Sequence, residues 1–337
     1  MKIVIFGPER RLGALAGDCV IDLNRGFARY LEERGDRNPN EHAAERLPPD
    51  LKSFIENGPI ALENAQHMID HFGGIGCEDG GELSDVVHSR SRLKLHAPWP
   101  ERRIACVGGN YAAHLLGMWA NRLGKTDVTL EEVAREAKKA GQWGFWKVLA
   151  EIAGPEDRIP FPKRVTYFDY EGEAAIVIGK RGKNISADQV DHYIWGVTLF
   201  HDWSIRHGGG TDRAVSYNLQ KNFDGAASMG PCIVVGELNP QNVDVETRIN
   251  GVVRQSYNTR EMIWSFGEVL EFLSQDFTFV PGDVIAGGTS AGTAADQSRR
   301  SEGKRPLDLF LKIGDVVEVS SPRIGALSNQ IVSSESE

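Results

Sequence analysis

Residues 167–180, YFDYEGEAAIVIGK, constrain this chain more than any other stretch. The run of Ala, Ile and Val suits a buried strand, yet Glu171 and Glu173 stand at its entrance. In an extended chain side chains alternate between faces, so residues two apart point the same way. Both carboxylates therefore leave one face of a sheet, next to residues that belong in a core. Two like charges held that close, half out of water, are costly unless something neutralises them. The plain alternative is a solvated strand face.

The next apolar strand weighs against that alternative. The run YIWGVTLFHDW delivers Asp202 near its end, again a carboxylate where a strand leaves the core. Three carboxylates emerging from sheet strands make a hard, all-oxygen site for Mg²⁺ or Mn²⁺, with Ca²⁺ also admissible. Zinc would ask for His or Cys ligands. An ion held by three protein carboxylates keeps coordination positions open for a chelating small molecule and water, which is a catalytic arrangement.

Composition narrows the rest. With 337 residues, 41% of them hydrophobic, the chain can build one large domain and a smaller one. The net charge of −9, with no basic stripe, argues against nucleic acid and anionic membranes as partners. No stretch approaches the roughly 18 apolar residues of a membrane span, and the start MKIVIFGPERR is too short in apolar residues for a signal-peptide core. Cys19, Cys77, Cys106 and Cys232 lie far apart with no CxxC pair, so the expectation is reduced, packed thiols in a cytoplasmic protein.

Residues 1–97 read as a small α/β domain: a strand in KIVIF, a hairpin in LGALAGDCVIDL, and helices in FARYLEERG, LKSFIENG and ALENAQHMIDHF. HAPWPERR (96–103) reads as a linker, and residues 98–337 as a mainly β domain. There VETRINGVVRQ predicts a hairpin turning on Asn250-Gly251, and SFGEVLEFLSQ a helix. TLEEVAREAKKA predicts a surface helix capped by Thr129 with Glu132, ended at Gly141, with Leu130, Val133, Ala134 and Ala137 as its apolar stripe. Its flanks, GMWANRLGK and GQWGFWK, suit a movable flap, so residues 115–146 are expected to form a helical insertion.

Two fragments imitate a serine esterase: His207-Gly208-Gly209-Gly210 as an oxyanion loop and Gly288-Thr289-Ser290-Ala291-Gly292 as a nucleophile elbow. No histidine follows position 207, so Ser290 has no downstream base, and no convincing helix follows the second fragment. A strand-turn-helix G-x-G-x-x-G unit and a Walker A motif are both absent.

Over residues 104–331 the order of segments resembles the fumarylacetoacetate hydrolase family. IACVGGNYAAH is similar to its strand ending in N-Y-x-x-H, YEGEAAIVIGK to its E-x-E metal strand, and GVTLFHDWSIR to its G-x-x-x-x-x-D-x-x-x-R segment. LQKNFDGAASMGP, TRINGVVRQ, VPGDVIAGGTSAG and LKIGDVVEVSSPRIGALSN follow in the family's order. The resemblance implies an α+β, mainly β fold, a mixed β-roll around a divalent ion, with Mg²⁺ (or Mn²⁺, with Ca²⁺ also admissible) held by Glu171, Glu173 and Asp202. It implies His114 as general base, since histidines titrate near neutrality, and Lys221 as the cation that stabilises enolate charge. Arg206 and Thr289, with the amide of Gly288, are implied contacts of a substrate carboxylate. Asn110 and Tyr111 would orient the pocket, and Lys147 matches a family lysine that follows an aromatic.

The implied activity is metal-dependent C–C hydrolysis of a 1,3-diketo or 2-oxo acid, of acylpyruvate or fumarylacetoacetate type, by a homodimer. Isomerisation, hydration or decarboxylation of a 2-oxo acid in aromatic catabolism is the alternative, and an inactive metal-binding member the third. One departure stands out. Smaller members carry a glutamate three residues after the histidine; here that residue is Gly117. Glu131, Glu132, Glu136 and Glu302 are the expected substitutes.

Overall fold

The structure, a computed structural model, describes residues 1–77, 83–123, 127–163, 165–206, 216–298 and 306–334. It is mixed α/β and dominated by sheet. The wholly apolar runs become central strands: Gly172–Ile178 is buried along its entire length between Ile194–Asp202 and Val284–Ala286. Strands covered on both faces read as continuous hydrophobic runs, which is why these lack alternation.

The main sheet runs in the order Val87–Ser89, Cys19–Asp22, Arg11–Ala16, Lys2–Phe6, Ala227–Val235, Ile194–Asp202, Gly172–Ile178, Val284–Ala286, Ile104–Val107, Gly144–Lys147. Leu95–His96 adds an eleventh strand beside Lys2–Phe6. The sheet passes straight through the expected boundary at residue 97, because Lys2 and Ile3 pair with Val234 and Ile233. A second, five-stranded sheet has the order Val252–Asn258, Asp244–Ile249, Val316–Ser321, Gly325–Val332, Arg158–Pro160. Its strands Asp244–Ile249 and Val316–Ser321 alternate exposed with buried residues, as one-sided sheets do. Among the described residues neither sheet closes into a barrel.

Local signals translate directly. Asn250 and Gly251 both take positive φ, 50° and 80°, and Ile249 pairs with Val252 across the turn. Thr129 and Glu132 form a complete capping box on Leu130–Ala140, which ends at Gly141. Of the expected stripe only Val133 and Ala137 are buried, and Leu130 faces solvent. Ser265 caps Phe266–Leu273 in the same way.

Two expectations change, and one helix is added to those expected. The helix Ala112–Leu123 starts before residue 115, the expected start of the insertion, and includes His114. Pro39–Arg46 is a helix that the apolar pattern does not announce, because it buries only Ala43 and needs no apolar stripe. The cysteines are not all reduced. Cys19 and Cys77 form a disulfide with Cα atoms 5.8 Å apart, because the helix Gly58–Phe72 carries the chain back to the strand Cys19–Asp22. Cys106 and Cys232 are free and buried. Among the described residues no helix is long and apolar enough to cross a membrane.

Candidate metal centre and active site

The register of two central strands assembles the acidic group. Gly172 pairs with His201 and Glu173 with Phe200, and the amide of Asp202 donates to the Glu171 carbonyl at 2.9 Å. Glu171 and Glu173 share a face by alternation, and Asp202, opposite Glu171, joins them there. The three carboxylates are buried and offer oxygens that all lie within 4.8 Å of one another.

Cations surround one side of this group. Lys221 donates to Glu171 and, at 2.7 Å each, to Asp202 Oδ2 and Ser204 Oγ. Arg206 donates to Glu171 and, at 2.8 Å, to Asp169 Oδ2. Lys147 Nζ lies 2.6 Å from Asp202 Oδ1 and donates to the carbonyls of Lys221 and Ala226. Burial opposes charge on Glu171, but Arg206 and Lys221 outweigh it and hold the carboxyl well below the usual range. Glu173 goes the other way. Burial, then the charges of Asp202 and Glu171, push it well above that range, and the amide of Gly288 at 2.9 Å does not offset them.

The helix Ala112–Leu123 brings His114 to the same pocket. Its Nδ1 lies 2.8 Å from Asp296 Oδ2, on the helix Ala294–Gln297. So a short helix does follow the GTSAG loop. The amides of Gly292 and Thr293 also donate to the Asp296 carboxylate. A carboxylate only accepts, so Nδ1–H donates to Asp296, and in the neutral ring the lone pair is then on Nε2.

Among the described residues the partner of His114 is thus Asp296 and not Glu131, Glu132 or Glu136. Glu132 is spent on its own helix cap, Glu136 pairs with Lys139, and Glu131 is exposed. Glu302, like the His207–Gly210 segment, lies outside the described residues. Gly117 explains the exchange: a Cβ there would meet Asp296 Cβ at 2.8 Å and its carbonyl oxygen at 2.9 Å. The missing side chain at 117 is the space in which Asp296 sits. Asp296 had a weak signal in sequence, as the fourth residue of a Thr-x-x-Asp capping box.

The remaining expected residues divide. Lys221, Arg206, His114 and Thr289 line one pocket with the three acids. Thr289 Oγ1 donates to the Gly172 carbonyl and accepts from Gln255 Nε2, and the Gly288 amide serves Glu173. Asn110 lies behind the pocket, donating to the carbonyls of Trp264 and Gly287 and accepting from the Trp264 amide. Tyr111 is buried edge-on against Tyr257, ring centroids 4.9 Å apart.

A divalent ion suits these residues. The donors are hard oxygens, and among the described residues Glu173 is the one of the three acids with no salt-bridge partner and the one driven toward its protonated form. A positive charge is what that corner of the site lacks.

Residues 103–332 match the sequence profile of the fumarylacetoacetate (FAA) hydrolase C-terminal family. The chain is similar to the oxaloacetate tautomerase YisK of Bacillus subtilis, 32% identical across 85% of this chain and 88% of that one. It is similar to the mitochondrial oxaloacetate tautomerase fahd2 of Xenopus laevis, 31% identical across 85% of this chain and 79% of that one. Among solved structures it resembles a fumarylacetoacetate hydrolase from psychrophilic Exiguobacterium antarcticum, with a TM-score of 0.68, 26% identity and 99% of each chain covered. With the acids, the histidine and the sheet in the places these motifs demand, the chain belongs to the fumarylacetoacetate hydrolase family.

Proposed function

We propose that this protein is a keto–enol tautomerase of 2-oxo acids, with oxaloacetate as the first substrate to test. The observation that carries the reading is the His114–Asp296 pair on one wall of a pocket whose floor is the Glu171, Glu173, Asp202 group. Similarity to two proteins named oxaloacetate tautomerases supports it.

Glu171, Glu173 and Asp202 would hold a divalent cation, Mg²⁺ or Mn²⁺, which when bound supplies Lewis acidity toward a 2-oxo carbonyl. The chain's own residues do the rest. Lys221 and Arg206 offset part of the negative charge of the acids, so that with a divalent cation held there the pocket can take a substrate carboxylate. His114 Nε2 takes a proton from C3 of the keto acid, and Asp296 holds the imidazole in that tautomer and stabilises the imidazolium. The same proton returns to the C2 oxygen: a C–H bond breaks, an O–H bond forms, and the double bond moves from C–O to C–C. Nothing enters or leaves, so one base suffices.

The second reading is C–C hydrolysis, the expectation from motif resemblance. Similarity along the whole chain to a fumarylacetoacetate hydrolase favours it. There His114 would take its proton from water. Substrate analysis separates the two. A tautomerase accelerates the decay of enol oxaloacetate, read by ultraviolet absorbance, and releases no pyruvate from acylpyruvates. Pyruvate release from an acylpyruvate, with enol decay at the buffer rate, overturns the tautomerase in favour of the hydrolase.

A further inference from the structure

We infer that the outer half of this pocket is an aromatic subsite, and that the 2-oxo acid it takes carries an aryl or similarly bulky apolar group on C3. The inference rests on the tautomerase reading and names its substrate class.

Two elements run from aromatic outside to cationic inside. On the strand Gly144–Lys147 and the residue before it, Trp143, Phe145 and Lys147 share a face by alternation. Lys147 ends at Asp202, while Phe145 and Trp143 line the pocket above it. On the helix Tyr217–Lys221 the pair Tyr217 and Lys221 is spaced i, i+4 and so shares a face. Lys221 reaches the acids and Tyr217 meets the two rings opposite, with centroids 5.3 Å from both Trp143 and Phe145. Lys221 Nζ itself lies 5.3 Å from the centroid of Phe145, at the seam between the halves. Leu115, Met118 and Trp119 complete the apolar wall from the helix that carries His114.

The arrangement is built in. A Cβ at Gly108 would meet ring carbons of Trp143 at 2.1 Å, so the indole lies on backbone that only glycine leaves bare. Yet Trp143 is 45% exposed and Tyr217 41% exposed. Large rings kept wet inside a concave site mark a binding surface more than a core. The cavity is about 630 Å³, within the roughly 300–1,000 Å³ usual for drug-sized ligands. A four-carbon diacid would fill its charged end and leave the rings in water. Among the described residues the outer wall offers no cation for a second carboxylate, since the lining cations Lys221 and Arg206 both sit against Glu171. A 2-oxo acid held with its oxo-acid end at the acids would extend its C3 substituent into the rest of the pocket, which the rings line.

The test compares phenylpyruvate with oxaloacetate on Mn²⁺-supplemented protein, by calorimetric binding and by tautomerisation rate. In the wild type phenylpyruvate is expected to bind at least about tenfold more tightly; Trp143→Ala should erase most of that preference and Trp143→Phe retain it. Equal or weaker binding of phenylpyruvate by the wild type overturns the subsite, as does a preference that Trp143→Ala leaves intact. The wild-type comparison decides the matter even if a variant fails to fold. Tight phenylpyruvate binding without tautomerisation of either acid keeps the subsite and rejects the tautomerase. Oxaloacetate tautomerisation without a phenylpyruvate preference does the reverse.

Discussion

Asp296 Oδ2 sits 2.8 Å from His114 Nδ1, joining residues 182 positions apart. An amide at 296 that turned its NH₂ toward Nδ1 would make Nδ1 the acceptor and put the proton on Nε2, the wrong tautomer for a base at that nitrogen. Asp296→Asn is expected to lower kcat about 10²-fold or more with little change in KM, in the range for loss of general acid–base assistance. Steady-state kinetics on a variant of unchanged melting temperature checks this; an undiminished kcat removes Asp296 from the account.

Gly117 has no freedom to gain a side chain. Its Cβ would stand 2.8 Å from Asp296 Cβ, and overpacking of this kind costs about 1–3 kcal/mol. Gly117→Ala should lower the melting temperature and also depress kcat, because the atom displaced belongs to the partner of His114. A variant that loses stability but keeps full kcat would show that Asp296 relocates without consequence.

The acidic group predicts how pH acts on metal affinity. Glu173 is raised well above the usual carboxylate range by burial and by Asp202 and Glu171. Its contribution to stability is present below the unfolded-state value of about 4.3 and is lost as pH rises through the folded value. A divalent ion must displace that proton, so affinity should rise with pH, by up to about tenfold per unit. The melting-temperature gain from Mn²⁺ or Mg²⁺ should therefore be larger near pH ~8 than near pH ~6. A pH-independent gain would place the ion elsewhere.

Thiol counting tests the disulfide. Burial pushes the Cys232 thiol up to about 12 and that of Cys106 well above its ordinary value, so neither should react with a thiol reagent in the native protein. Denaturation without reductant should expose two thiols per chain, Cys106 and Cys232, and reduction all four. Four thiols in oxidising denaturant would contradict the Cys19–Cys77 bond.

What was legible in the sequence follows the range of the forces involved. Glu171, Glu173 and Asp202 could be read from strand alternation and pairing, because a buried sheet leaves little choice of register. Thr129 and the Asn250-Gly251 turn are local chemistry and appeared where expected. The Asp296–His114 contact, the Cys19–Cys77 pair and the continuity of Lys2–Phe6 with Ala227–Val235 are long-range consequences of packing. No periodicity encodes them. Thr289 and Gly288, which the family resemblance implies as contacts of a substrate carboxylate, also bond Gly172, Gln255 and Glu173 within the chain, partners that no motif announces.

The central claim is that His114 moves a proton on C3 of a 2-oxo acid above the acidic group. It is tested most directly by following C3 hydrogen–deuterium exchange of oxaloacetate in D₂O by NMR with Mg²⁺-supplemented wild type and His114→Ala. The account predicts exchange well above the buffer rate, no loss of carbon, and a return to the buffer rate in the variant. Exchange at the buffer rate with wild type that binds the ion, or exchange that His114→Ala leaves untouched, would contradict it.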